Sequence, residues 1–493
     1  MNELSKSEKE IYDQRKKKLE QIEEIDNKSL PHAFTTSTSL SYIRREYKDL
    51  ESGAKTGVNV IVAGRVINYR SFGKLIFIDI QENTEKIQLL IDKESIKKET
   101  MKVIELLDVG DIIGCHGEVI TTKKGELSVK ISKVHLLNKA LRGLPEKWHG
   151  LKDKETRFRN RYLDFISNSN AKNIILIRSV IIKTIRKYLE EKNFIEVETP
   201  ILQPTPGGAL AKPFRTYHNA LGIDMYLRIA PELYLKRLVV GGFEKVFEIG
   251  RVFRNEGLDG THSPEFTMLE SYEAYADMND VMDMTEEMIK EALSQIGHED
   301  PLIFDESRIE IFTEWKRKEM SELVSEKMEM DINFQSDTKK IKKLLEKKGI
   351  QLEADSIGLV IYELFERYTQ DSLNSPVFVT GYPIEVSPFA RKREGEELVT
   401  DRFELFIFGY EVANGFSELI NSEEQSDRLK EQAKKREEGD EEAHVEDEDY
   451  IVAMQYGLPP TGGLGIGIDR IIMIATNQLS IREVVAFPHM KPD

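Results

Sequence analysis

Residues 250–270 read GRVFRNEGLDGTHSPEFTMLE. The first residues close the alternating run FEKVFEIGRVF, and the last open a second one, EFTMLESYEAYA; both read as strands. Between them lies a turn-rich loop with Arg254 and Glu256 on one side and His262, Glu265 and Phe266 on the other. An arginine forks onto a phosphate or carboxylate, and a phenylalanine ring stacks on a purine. A lone Arg-Asn-Glu is ordinary surface charge; the length of the combination is what points to a site.

Further stretches extend this reading. DRFELFIFGYEVANGFSEL (401–419) is strand-like and carries Glu404 and Glu411. Seven apart, these carboxylates face opposite sides of a regular strand, so a bend or bulge near Gly409 is needed to bring them together. Two such oxygen ligands suit Mg²⁺, which keeps waters and bridges substrate phosphates. GLGIGIDRIIMIA (463–475) passes from strand to helix, with glycines that permit close backbone approach and Arg470 at the helix start. FIEVETP (194–200), PTPGGALAKPF (204–214) and RIAPELYLKRL (228–238) add Pro200, Gly208 and Glu232. No GxxxxGK[ST] loop is present, and the 462–467 glycines do not fit GxGxxG, so any ATP site rests on another device. Long strands with short turns predict an antiparallel sheet. Residues 278–375 read as largely helical with little recognisable chemistry, and 422–449 as a solvated, densely charged helix and loop.

The N-terminal part differs. Residues 3–26 form a basic amphipathic helix, and 58–139 hold five short β-branched runs with a helix between the third and fourth. That is the order of an OB-fold barrel, whose strand 2–3 face binds single-stranded nucleic acid through stacked aromatics. Phe77 and Gln88 fall on those strands, although a lone strand Phe is usually a core residue. The expected organisation is α+β: a helical extension over 1–57, an OB-fold β-barrel over 58–140, a linker over 141–165, and a domain over 166–493 built on an antiparallel β-sheet flanked by helices. The Ile-rich helix expected from Asn173 has an apolar stripe broad enough for its own core and a second subunit.

The chain has 493 residues, 40% hydrophobic and 32% charged, as expected of a globular protein with a substantial core. One cysteine, Cys115, excludes internal disulfides and Cys-cluster metal sites. The N-terminus lacks the apolar segment of a secretory signal, and no apolar run reaches membrane-spanning length, so a cytoplasmic location is expected. The net charge of -17 argues against nonspecific nucleic-acid binding, but it is unevenly spread: residues 1–150 carry 26 basic and 23 acidic residues, the remainder 44 and 64.

FIEVETP, the 250–270 stretch and GLGIGIDR resemble the three signature motifs of class II aminoacyl-tRNA synthetases. PTPGGALAKPF, RIAPELYLKRL and EVANGFSEL resemble the lysyl-tRNA synthetases within that class. The resemblance runs from the N-terminal helix to the last residues and is weakest over 278–375. It implies lysine activation by ATP to lysyl-adenylate, followed by transfer to the 3′ end of tRNA(Lys). It places Arg254 and Arg470 in catalysis. Arg254 holds the lysine carboxylate and the α-phosphate, Phe266 stacks on adenine, Glu256 meets its amino edge, and His262 and Arg470 meet the outer phosphates. Glu404 and Glu411 bind Mg²⁺. Gly208 and Glu232 receive the α-amino group and Asn414 helps with the carboxylate. Glu270, Tyr272 and Glu418 surround the ε-ammonium, with Phe416 along the stem. A physical argument agrees: a buried ammonium requires carboxylates at the far end of an apolar groove. In the barrel, Phe77, Gln88 and Glu126 match anticodon-reading positions, and the basic helix meets the anticodon stem-loop. The family also forms homodimers around its first motif. Thr261 and Ser263 depart from the Arg and Asn of many bacterial-type members. Two other readings exist: a protein-modifying lysine ligase, which lacks the barrel, and a nonenzymatic RNA-binding paralogue, against which Arg254, Glu404, Glu411 and Arg470 weigh.

Overall fold

The computed structural model describes residues 5–144, 153–439 and 444–491. The chain divides into two compact units, Met1–Asn173 and Ile174–Asp493.

The first unit opens with α1 (Lys6–Ile25), started by a capping box in which Ser5 and Glu8 satisfy each other's backbone amides. Residues 3 and 4 of the expected helix lie outside the described residues. A second short helix, α2 (Leu40–Glu46), is capped by Ser39. Five strands follow: β1 (Lys55–Phe72), β2 (Leu75–Glu82), β3 (Glu85–Asp92), β4 (Ile112–Thr121) and β5 (Leu127–Asn138), with α3 (Lys98–Glu105) between β3 and β4. They close into a barrel in the order β1-β2-β3-β5-β4. Closure puts every second side chain inside. On β2, Ile76, Ile78 and Ile80 are buried while Phe77, Asp79 and Gln81 face out. Phe77 is therefore a half-buried residue of the outer face, not of the core.

The span expected as a linker is not plain connection. Its residues 145–152 lie outside the described residues, but α4 (Lys154–Arg159) and α5 (Arg161–Ser167) occupy the rest. Asp153 caps α4 through the Thr156 amide at 2.8 Å. Arg161 is buried against the rings of Phe158 and Phe165 and bonds Asp164. Part of the charge in this span thus pairs locally, Arg161 with Asp164 at i,i+3.

The second unit follows from α6 (Ser169–Glu191), which carries the boundary. Its elements are β6 (Ile195–Glu196), β7 (Leu202–Gln203), β8 (Arg215–His218), β9 (Ile223–Leu227), α7 (Glu232–Val240), β10 (Lys245–Phe253), β11 (Glu265–Ala274), α8 (Met278–Gln295), β12 (Leu302–Phe304), β13 (Ser307–Ile309), β14 (Lys316–Glu319), α9 (Met320–Met328), α10 (Thr338–Lys347), α11 (Ile357–Leu364), β15 (Val377–Pro383), β16 (Val399–Ile407), β17 (Tyr410–Ser417), α12 (Ser422–Glu437), α13 (Glu448–Gln455), β18 (Thr461–Gly467), α14 (Ile468–Ala475) and α15 (Ile481–Val484). Eight strands form one sheet, ordered β14-β15-β16-β17-β18-β11-β10-β6, antiparallel except at the two edge pairs. One face carries Phe247, Leu269, Phe403, Leu405, Ala413 and Ile466, which pack with Ile181, Ile185 and Leu189 of α6, Met288 and Ile289 of α8, and Ile471 and Ile472 of α14. Alternation leaves the opposite face free for polar side chains. The 278–375 span holds helices as expected, plus the β12–β13 hairpin and edge strand β14.

Asp111 ties the barrel together. Fully buried, it accepts from Lys139 Nζ at 2.7 Å, the Asp108 amide at 2.8 Å and the Ala140 amide at 3.0 Å. Asp111→Ala removes one partner of a buried pair, so it is expected to destabilise the unit by about 3 kcal/mol. Hydrogen exchange in β4 and β5 checks this as lost protection.

Candidate active site

The register of the sheet lines its polar face up in rows. Glu404 on β16 stands opposite Asn414 on β17; Asn414 opposite Gly465 on β18; Gly465 opposite Glu270 on β11. Two residues along, the row is Arg402, Phe416, Gly463 and Tyr272. Two-residue spacing on each strand keeps all of these on one face. The β18 glycines form the floor between the flanking side chains. A Cβ at Gly463 would collide with Glu418 and lie 2.8 Å from a Tyr272 ring carbon, and one at Gly465 would lie 3.0 Å from Met268.

Helix α7 brings Glu232 to this face. Gly208, at φ +89°, packs against it so closely that a Cβ would lie 2.9 Å from the Cβ of Glu232. Glu232, Glu270 and Glu418 are all buried. Glu270 accepts from the Tyr272 hydroxyl at 3.2 Å. Burial, reinforced by the charge of Glu232, raises its pKa well above the carboxylate range. Burial also raises the Glu418 carboxyl, against the opposing pull of Lys236. Both Glu418 oxygens lack a hydrogen-bond partner beyond that ion pair. Three carboxylates beside Tyr272 and Phe416 make a buried acidic cluster whose chemistry suits cations with an apolar stem.

At the other end, Arg254 follows β10, and its amide bonds the Pro264 carbonyl at 2.9 Å, closing the 254–264 loop. Its guanidinium lies 5.1 Å from the Phe266 ring centre, and its Nε is buried without a partner. The charges of Glu256, Glu411 and Glu270 act on it. Glu256 is exposed. His262 is exposed too, its Nδ1 2.9 Å from Asp259, which also receives the amides of Thr261 and His262.

The chain does bend at Gly409 between Glu404 and Glu411, and the bend is a full reversal. Phe408 and Gly409, both at positive φ, form a two-residue turn between β16 and β17, and the register slips beside Phe406. The two carboxylates thus come from a hairpin. Burial, then the neighbouring Glu411, push Glu404 up to about 7. Arg402 opposes this, donating to Glu404 at 2.6 Å and to Asn414 Oδ1 at 3.2 Å. Arg470 reaches the Glu411 carbonyl at 2.5 Å and its carboxylate at 3.3 Å. A like-charged carboxylate pair, each member flanked by its own arginine, is what a divalent ion would further relieve. No cluster of three acidic, His or Cys ligands occurs among the described residues.

The three barrel residues belong to the first unit. Phe77 lies on its outer face with Phe72 at 6.4 Å, Gln88 accepts from Ser128 Oγ at 3.2 Å, and Glu126 sits in the β4–β5 turn.

Sequence reading missed the residues that hold the site residues in place. Lys236, fully buried, and Arg402, partly buried, pair with Glu232 and Glu404, at i+4 on a helix and i-2 on a strand; those charge spacings were the available signal. Asp469 accepts from Arg178 Nη1 at 2.5 Å and the Thr267 amide at 2.7 Å, locking α14, and so Arg470, to β11. Arg228 and Thr199 both bond Glu248, which joins the FIEVETP segment to β10.

Residues 153–491 match the model of tRNA synthetases class II (D, K and N), and residues 60–137 match that of an OB-fold nucleic acid binding domain. The chain is 46% identical to a lysine–tRNA ligase of Clostridium botulinum over 498 aligned positions, covering 100% of this chain and 98% of the relative. It is 44% identical to lysine–tRNA ligases of Pelotomaculum thermopropionicum (99% and 97% covered) and Listeria welshimeri (97% and 96%).

Overpacking at the glycine floor costs about 1–3 kcal/mol. Gly463→Ala should therefore push Glu418 and Tyr272 aside and lower lysine-dependent ATP–pyrophosphate exchange about tenfold or more, with the circular dichroism spectrum unchanged.

Proposed function

The chain belongs to the class II tRNA synthetases, and from that premise we propose that it joins lysine to tRNA(Lys) at the cost of ATP. The observation that carries the amino-acid choice is the burial of Glu232, Glu270 and Glu418 beside Tyr272 and Phe416. Three buried carboxylates outnumber the one buried lysine among them, which repels an aspartate side chain and favours an ammonium on an apolar stem.

In this reading the lysine carboxylate lies between Arg254 and Asn414, its α-amino group against Glu232 and the backbone at Gly208, and its ε-ammonium between Glu270 and Glu418. A carboxylate oxygen attacks the α-phosphorus of ATP, and the bond to the departing pyrophosphate breaks. The ribose hydroxyl at the tRNA 3′ end then attacks the lysyl carbonyl, releasing AMP. Neither step needs a protein nucleophile; the work is positioning and charge stabilisation. Arg254 steadies the charge that shifts during adenylate formation, Phe266 and Glu256 take the adenine, and His262 and Arg470 take the outer phosphates. Glu404 and Glu411 would hold Mg²⁺, which supplies neutralisation of the phosphate charge. The outer barrel face with Phe77 and Gln88, beside Glu126, would read the anticodon by stacking and hydrogen bonding.

Among the described residues no helix is long and apolar enough to cross a membrane, and a cytoplasmic translation enzyme is the reading adopted. Exposed Leu176 and Val180 on α6, beyond the stripe that fills its own core, support a homodimer.

Lysine-dependent exchange followed by charging of tRNA(Lys) tests the assignment; preferential activation of aspartate would overturn it. Glu418→Gln breaks a buried charge pair and should cost about 2–5 kcal/mol in lysine kcat/KM, and an unchanged lysine KM would count against the pocket. Protonation of Glu404 below its pKa of about 7 removes a ligand, so Mg²⁺ should bind about tenfold more weakly at pH 6 than at pH 8. Mg²⁺ titrations of nucleotide binding at the two pH values measure this.

A further inference from the structure

The proposed lysine pocket already contains a cation of its own. Lys236 lies one turn beyond Glu232 on α7 and is fully buried. Its Nζ sits 2.5 Å from Glu232 and 2.5 Å from Glu418. Three rings complete its surroundings: Phe389 at 4.7 Å, Phe416 at 5.4 Å and Tyr272 at 5.8 Å. Burial alone would strip its proton, but Glu232 and Glu418 outweigh that and hold it charged. The other groups facing it are the Tyr450 hydroxyl and His444; burial, and then the charge of Lys236, keep His444 neutral.

The charges of the pocket can then be counted. Burial raises Glu270 and Glu418 toward the neutral form, and a bound cation draws them back to carboxylates; in that ionised state Glu232, Glu270 and Glu418 are negative and Lys236 is positive. The nearby guanidiniums are committed elsewhere, Arg402 to Glu404 and, in the proposed function, Arg254 to the substrate carboxylate. Two positive charges are missing. Glu418 has unfilled acceptor capacity on both oxygens, and Glu270 has only a tyrosine hydroxyl. Lysine brings two ammonium groups.

We propose that Lys236 is a specificity-determining positioning residue: a resident ammonium that anchors Glu232 and Glu418, cancels one of three buried carboxylates, and sets the pocket's capacity at two incoming ammonium groups, those of a diamino acid. This role rests on the lysine-ligase reading.

Four chains test it by steady-state ATP–pyrophosphate exchange: the unaltered protein, Lys236→Met, Glu232→Gln and the double variant. Lys236→Met should raise the lysine KM at least tenfold, the effect falling on that KM rather than on kcat, with the ATP KM changed less than threefold. Removing a carboxylate together with its cation restores the count. In the Glu232→Gln background, Lys236→Met should therefore cost less than a further threefold. If Lys236→Met fails to fold, recovery of soluble, ATP-binding protein in the double variant is the expected counterpart. A lysine KM within threefold of the unaltered protein in Lys236→Met, effects that simply multiply, or a double variant as unfolded as the single one would each overturn the role of Lys236. Absence of lysine-dependent exchange in the unaltered protein would instead overturn the lysine assignment itself.

Discussion

A buried carboxylate without a cation is costly, and the second unit buries several within a few strands of one another. Around this constraint the polar face of its sheet is organised. Most of these acidic groups have a dedicated cationic counterpart. Glu248 has Arg228, Asp469 has Arg178, Glu404 has Arg402, and Glu232 and Glu418 share Lys236. Glu270 has none, and its pKa rises accordingly. Glu248 and Asp469 are fully engaged and tie segments together, whereas Glu404 and Glu418 stay raised despite their cations.

The sheet makes such a surface possible because its two faces are chemically separate. Phe403, Leu405, Ala413, Leu464 and Ile466 alternate with Arg402, Glu404, Asn414, Gly463 and Gly465 along the same three strands. The apolar set anchors the helices, so the polar set needs no packing of its own and is held rigid from behind. The glycines of β18 keep the floor low between β11 and β17. The structural ion pairs then join distant segments: Asp469 holds α14 to α6 and β11, and Glu248 holds the Thr199 segment to β10.

Much of this was legible in the sequence, and the exceptions share a cause. Strand runs and their alternation identified β10, β11, β16 and β17, and the OB-fold strand order was readable from five β-branched runs around one helix. Expected contacts such as Glu404 with Glu411 were readable as a need for proximity, but the hairpin that supplies it depends on Phe408 and Gly409 adopting positive φ together, which no periodicity shows. Phe77 was ambiguous until closure of the barrel put Ile76 and Ile78 inside and left it out. The charge of the expected 141–165 linker gave no sign that Arg161 is buried, because its aromatic and acidic partners come from a local helical geometry.

By itself the sequence determined the class of chemistry: which carboxylates, arginines and glycines are present, and on which runs of alternating residues they fall. Tertiary structure alone decided which charges cancel one another. Lys236 and Arg402 sit in plain view in the chain, yet a lysine beside a glutamate is usually a solvated surface pair. Only the packing around them, which excludes water fully from Lys236 and largely from Arg402, fixes those two cations on their carboxylates.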